Sequence, residues 1–174
     1  MQIISITEAL EWELSQDPRL NPTLRVAFNC EEPSLNAFLS KFARQADELN
    51  SARTWVYLDK KQKRIAGYLS LSNTSLEKAD ASPTIRSYTN PIPALLIGRL
   101  AVDKNYQKQG LGEKLLMFGF AKANELNKIS AIQAIVVDTL NENAENFYLR
   151  YGFVKIGASN KMIISMKGLF EVKF

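Results

Sequence analysis

Leu100-Ala101-Val102-Asp103-Lys104-Asn105-Tyr106-Gln107-Lys108-Gln109-Gly110-Leu111-Gly112 is the stretch on which the fold turns. An apolar run ends in Val102, a polar turn follows, and Gln107-x-x-Gly110-x-Gly112 opens into an amphipathic helix. Glycines let a backbone approach a ligand closely, so that successive amide N–H groups point at it. A helix N-terminus adds roughly half a positive charge, which selects an anion such as a pyrophosphate. No Gly-Lys-Ser/Thr follows, so the turn is not a Walker loop. The first glycine of the dinucleotide fingerprint is also missing.

Around this turn, Ala94–Val102 reads as a long strand buried on both faces except at Arg99. The helix Leu111–Leu126 follows, with Leu111, Leu115, Phe118 and Ala123 turned to the core. Ala131–Val137 is a second doubly buried strand. Two buried strands joined through a helix imply a parallel pair, and ligands in such sheets bind beyond the strands' carboxyl ends.

Further out, Ile3–Ile6 reads as a first strand and residues 15–33, with Pro18, Pro22 and Pro33, as irregular chain with room for a second short piece at Leu24–Phe28. Ser34 is placed to cap a helix whose inner face carries Leu35, Phe38, Leu39, Phe42, Ala46 and Leu49. Thr54–Leu58 and Ile65–Leu71 form a hairpin around Asp59–Arg64. Residues 74–93 form a polar loop containing Pro83, Pro91 and Pro93. Ala144–Tyr151 is a short helix, and Phe153–Ile156 and Met162–Met166 are closing strands. The expectation is one α/β (α+β) domain over residues 1–174, with a mixed, mostly antiparallel sheet, a central parallel pair and flanking helices.

The composition of the 174 residues is ordinary for a globular protein, and the net charge of +4, from 22 basic and 18 acidic residues, is mild. It suits anionic ligands without naming one. The absence of histidine removes a His-based triad and a His-ligated metal, and Cys30 has no second cysteine to pair with. No apolar run approaches the roughly 20 residues that span a bilayer. Met1-Gln2-Ile3-Ile4 lacks the basic start of a signal peptide, so no membrane role and a cytoplasmic home are expected.

A second constellation, Asn141-x-x-Ala144-x-x-Phe147-Tyr148-x-x-Tyr151-Gly152-Phe153, comes after the second buried strand. Together the two motifs resemble the GCN5-related N-acetyltransferases, which move acetyl from acetyl-CoA to an amine. The resemblance spans Leu96–Phe153 at the family's spacing. Phe28-Asn29-Cys30-x-x-x-Ser34-Leu35-Asn36-x-Phe38-Leu39, Gly67–Leu71 and Pro91–Val102 narrow it to one branch, the toxins of bacterial type II toxin–antitoxin pairs. That branch acetylates the amino group of aminoacyl-tRNA, stops translation and is restrained by a ribbon-helix-helix antitoxin. A homodimer is left open.

The resemblance implies acetyl-CoA as cosubstrate, without a metal. Its pyrophosphate would lie on Gln107, Lys108, Gln109, Gly110, Leu111 and Gly112, and its pantetheine along Leu100, Ala101 and Val102. Asn141 would be a side-chain contact. Tyr148 would protonate the departing thiolate, leaving Phe147 as the packing member of the pair. Arg99, Lys41 and Arg44 are candidates for binding the acceptor, as are Arg53 and Arg86. No general base stands out, and an α-amine, which titrates near about 7.7 to 8.0, is already partly neutral at cytoplasmic pH, so use of a base stays open. Two rivals stay open: an acetyltransferase for a small amine, peptide or protein N-terminus, and a silent CoA-binding module.

Overall fold

The computed structural model describes residues 2–16, 24–77, 85 and 90–169. Strand β1 (Gln2–Ser5) runs directly into helix α1 (Ile6–Gln16), a helix the sequence reading lacked. Ser5 and Glu8 form a reciprocal capping box: Glu8 N–H donates to Ser5 Oγ (3.1 Å) and Ser5 N–H to Glu8 Oε2 (2.8 Å). Ile6, Ala9 and Glu13 face inward at helical spacing. Glu13 Oε1 accepts the N–H of Leu24 (2.9 Å), the first residue of the one-turn helix α2 (Leu24–Ala27).

The next helix is α3 (Pro33–Ala37), a π-turn (Phe38–Phe42) and α4 (Ala43–Glu48) in succession. Its cap is Glu32 rather than Ser34, because Pro33 already occupies the first helical position, where a missing N–H costs nothing. The π-turn also corrects the expected face. An inserted residue rotates the remainder of the helix by about 100°, so Phe42 and Leu49 are exposed while Ala43 is fully buried.

Hairpin β2 (Arg53–Asp59) and β3 (Arg64–Leu76) forms as expected, with β3 longer. Its pairing is interrupted: Tyr57 faces Gly67 and Leu58 faces Ile65, so Ala66 is an extra residue, a β-bulge. Then come β4 (Ile92–Val102), a 3-10 turn (Lys104–Tyr106), α5 (Leu111–Ile129), β5 (Ala134–Asp138), α6 (Glu142–Leu149), β6 (Val154–Lys155), β7 (Lys161–Ser165) and α7 (Met166–Leu169). Residues 78–84, 86–89 and 170–174, Arg86 among them, lie outside the described residues.

The seven strands are ordered β1-β2-β3-β4-β5-β7-β6. Pairing is antiparallel between β1 and β2, β2 and β3, β5 and β7, and β6 and β7, and parallel between β4 and β5. This is the mixed sheet with one parallel pair that the sequence implied. The parallel ladder runs from Ala94↔Ala134 to Ile97↔Val137, while β4 continues to Val102. The end of β4 therefore has no parallel partner among the described residues. It is also less buried than expected: Gly98 is exposed, and Arg99, Leu100 and Val102 are half-buried.

The chain divides into two compact units, Met1–Leu71 with Arg99–Gly119, and Ser72–Gly98 with Phe120–Phe174. The first is built on Ile6, Leu39, Val56, Leu58, Ile65 and Tyr68, all at most 2% exposed. The second packs Leu76, Ile92, Ala94, Ala134, Val136 and Ile163 together. In α5, Leu111, Leu115 and Ala123 are buried as expected; Phe118 is half-buried, its ring edge-on to Trp55 (5.6 Å).

Candidate active site

The glycine turn is assembled from the end of β4. Asp103 is 1% exposed, and its N–H donates to the carbonyl of the bulge residue Ala66 (2.9 Å). Its Oδ1 accepts from the N–H (2.9 Å) and Nδ2 (2.8 Å) of Asn105, closing an Asx-turn. Its Oδ2 accepts the N–H of Asn29 (2.9 Å). Tyr106 is buried beside Ala66 and Leu111, and its hydroxyl donates to Asp59 Oδ2 (3.2 Å). Asp59 is held below the ordinary carboxylate range, chiefly by the N–H of Gln62.

Beyond this footing the chain turns sharply. Lys108 (φ 59°) and Gly110 (φ 76°) are both left-handed, a conformation glycine adopts freely and lysine does not. Gln107 Nε2 donates to Val102 O and Gln109 Nε2 to Asn105 O, each at 3.2 Å, so two side chains brace the loop. The N–H of Lys114 donates to Gly110 O (3.1 Å) as α5 begins. The amides of Leu111, Gly112 and Glu113 precede that bond and have no intrahelical acceptor. The helix dipole adds a partial positive charge behind them.

Arg99 lies in the same unit. Its guanidinium sits 3.7 Å from the centroid of the Phe38 ring, a cation–π contact that orients its plane. Phe38 stacks in turn on Tyr68 (6.1 Å), whose hydroxyl donates to Leu35 O (2.9 Å). Lys41 is exposed. Arg44 is tied to Glu48 at 2.7 Å, both side chains more than half exposed.

In the other unit, Asn141 caps α6, its Oδ1 accepting the N–H of Ala144 (2.9 Å). Tyr148 lies on that helix between Phe147 (5.2 Å) and Phe153 (5.1 Å). The packing expectation is reversed here: Tyr148 is 7% exposed, whereas Phe147 is half-buried. α6 starts at Glu142, earlier than expected, and Tyr148 is its buried residue.

Burial pushes the phenols of both Tyr148 and Tyr68 well above their ordinary value. An unfolded tyrosine ionises near about 10. The stability these groups contribute is thus intact below that pH and lost as pH rises above it. The slope reaches about 1.4 kcal/mol per pH unit for each tyrosine. Urea midpoints are expected to fall between about pH 9 and about pH 11, and to hold steady below that range. An unchanged midpoint would show that neither ring is held neutral by the fold.

Sequence reasoning missed Asp103, Asn29 and Phe38. Asp103 carried a signal, an aspartate two residues before Asn105 at a strand end, which is the Asx-turn pattern. Among the described residues no helix is long and apolar enough to cross a membrane, and no cluster of three or more His, Cys, Asp or Glu is placed to hold a metal.

The chain is 31% identical to the tRNA-acetylating toxin of Mycobacterium tuberculosis over 128 residues, 73% of this chain and 76% of that one. The crystal structure of a tyrosine-to-phenylalanine mutant of KacT superposes with a TM-score of 0.84 at 26% identity, covering 98% of this chain and 97% of that chain. The KacTA–DNA complex matches with a TM-score of 0.72 at 29% identity, over 83% and 87% of the two chains. Residues 50–155 match the acetyltransferase (GNAT) domain, and the chain belongs to that family.

Proposed function

We propose that this chain moves acetyl from acetyl-CoA to the α-amine of aminoacyl-tRNA, and so blocks translation as the toxin of a type II toxin–antitoxin pair. The observation that carries the reading is its 31% identity, over 73% of its length, to a tRNA-acetylating toxin. The turn at residues 107–112 supports a pyrophosphate there: the first amides of α5 lack intrahelical acceptors, and they follow a main chain bent by left-handed Lys108 and Gly110. Acetyl-CoA supplies an activated acyl thioester, whose carbonyl carbon is the electrophile.

The amides of Gln109 to Gly112 grip the diphosphate. Leu100, Ala101 and Val102, past the end of the parallel ladder, pair with the pantetheine amides as an added strand would. A main-chain N–H there polarises the thioester carbonyl and holds the developing oxyanion. Tyr148 gives its phenolic proton to the departing thiolate, and its burial keeps that proton in place at neutral pH. Asn141 Oδ1 is committed to its cap, so its contact to CoA comes from Nδ2. Arg99, Lys41 and Arg44 meet acceptor phosphates, Arg44 sharing its guanidinium with Glu48.

On this reading a single catalytic domain over residues 1–174 works in the cytoplasm, restrained by a ribbon-helix-helix antitoxin and able to form a homodimer. Incubation with labelled acetyl-CoA is expected to label charged tRNA and leave uncharged tRNA unlabelled, with steep loss as salt is raised. Label on small amines with none on charged tRNA would replace this reading with that of a general acetyltransferase.

A further inference from the structure

We propose that Asp103 is a positioning residue for the phosphate cradle, held in place by the front segment through a continuous chain of hydrogen bonds, Asn36–Asn29–Asp103–Asn105–Gln109. The inference rests on the reading of residues 109–112 as the pyrophosphate site.

A carboxylate next to an anion site repels the ligand, so this one is not there to touch it. A buried charge must also be compensated locally. At 1% exposure, Asp103 is compensated by three N–H groups from two distant parts of the chain, Asn29 and Asn105. Asn29 grips the turn from both sides of its own residue, its N–H on Asp103 Oδ2 and its carbonyl accepting the N–H of Lys104 (2.8 Å).

The side chain of Asn29 extends the chain outward. Its Oδ1 accepts from Asn36 Nδ2 (3.2 Å) and from the N–H of Glu31 (2.9 Å), which holds Glu31 in a left-handed conformation (φ 70°). Asn36 Oδ1 in turn accepts the N–H (2.9 Å) and Sγ (3.1 Å) of Cys30. In the other direction, Asn105 passes its fixed orientation to the loop through its carbonyl, which accepts Gln109 Nε2 (3.2 Å). Gln109 opens the run of amides assigned to the pyrophosphate. The motif Phe28–Asn36 thus has a second use beyond starting a helix: it sets the footing of the cradle.

The test compares CoA with pantetheine, which shares the thiol arm and lacks the pyrophosphate. Asp103→Asn keeps the shape but turns one accepting oxygen into a donor that faces an N–H. Its dissociation constant for CoA is expected to rise about tenfold or more, while kcat/KM with S-acetylpantetheine stays at the parental value. Asn36→Ala, further from the loop, should move the same way by about threefold. Loss of affinity for both ligands alike would mean a general structural role and would overturn the inference, as would unchanged CoA affinity in both variants. A parent protein that binds no CoA would remove the cradle reading itself. Should Asp103→Asn fail to fold, the same ligand comparison on Asn36→Ala decides.

Discussion

Tyr148→Phe is expected to lower acetyl transfer by about 10²- to 10⁴-fold, the range over which a positioned general acid contributes. Acetyl-CoA binding should remain close to that of the parent. The substitution removes one oxygen and leaves the ring in its edge-on contacts with Phe147 and Phe153. The loss should therefore fall on kcat, the signature of an interaction made only in the transition state. Because burial displaces the phenol upward, the parent's rate should rise with pH as the acceptor amine loses its proton, with no alkaline decline from this residue below about 10. Initial rates at saturating acetyl-CoA, calorimetry and a thermal melt of the variant together check this. A rate equal to the parent's would transfer the acid role to another group or to water.

The second large effect is expected at Gly67. A Cβ added there would lie 2.9 Å from the main-chain oxygen of Ala101 and 2.9 Å from Leu115 Cδ1. Leu115 is fully buried and cannot swing clear, and the Ala101 oxygen moves only with the strand. Gly67→Ala should cost about 1–3 kcal/mol by overpacking, roughly 3–10 °C in melting temperature for a domain of this size. The displaced strand is the one assigned to pantetheine, so KM for acetyl-CoA should rise along with the loss of stability. An unaltered melt and an unaltered KM would show that β3 and β4 are less tightly apposed than these distances state.

Much of this arrangement was legible in the chain because its signals are local. Val102, Gly110 and Gly112 mark a strand, a turn and a helix start within a dozen residues, and the Asn141–Phe153 run marks a capped helix and the turn after it in the same way. The hairpin was equally clear from the composition of its two strands and the turn between them. What escaped depended on partners distant in sequence, or on a break in period. The π-turn at Phe38–Phe42 shifts the helical phase midway, so a face drawn through Leu35, Phe42 and Leu49 belongs to no single surface. Asp103 reads as an ordinary turn residue until Asn29 is brought to it from 74 residues away. Arg99 stood out as a lone charge on an apolar strand, yet nothing in its neighbourhood announced Phe38 as the ring beneath it. Helix α1 is a different case: Ser5-Ile6-Thr7-Glu8 spells a capping box and was legible, but the strand-like Ile3–Ile6 beside it drew the boundary one residue too far.

The bulge at Ala66 restricts how this gene can change length. Residues 60–63, at the hairpin tip, lie in a turn, where a codon can be gained or lost at small cost. Between Ile65 and Gly67 the residue count is fixed. Deleting Ala66 would give a more regular ladder with the same facing pairs, but would take away the carbonyl that receives the N–H of Asp103. The tidier hairpin would be the poorer catalyst.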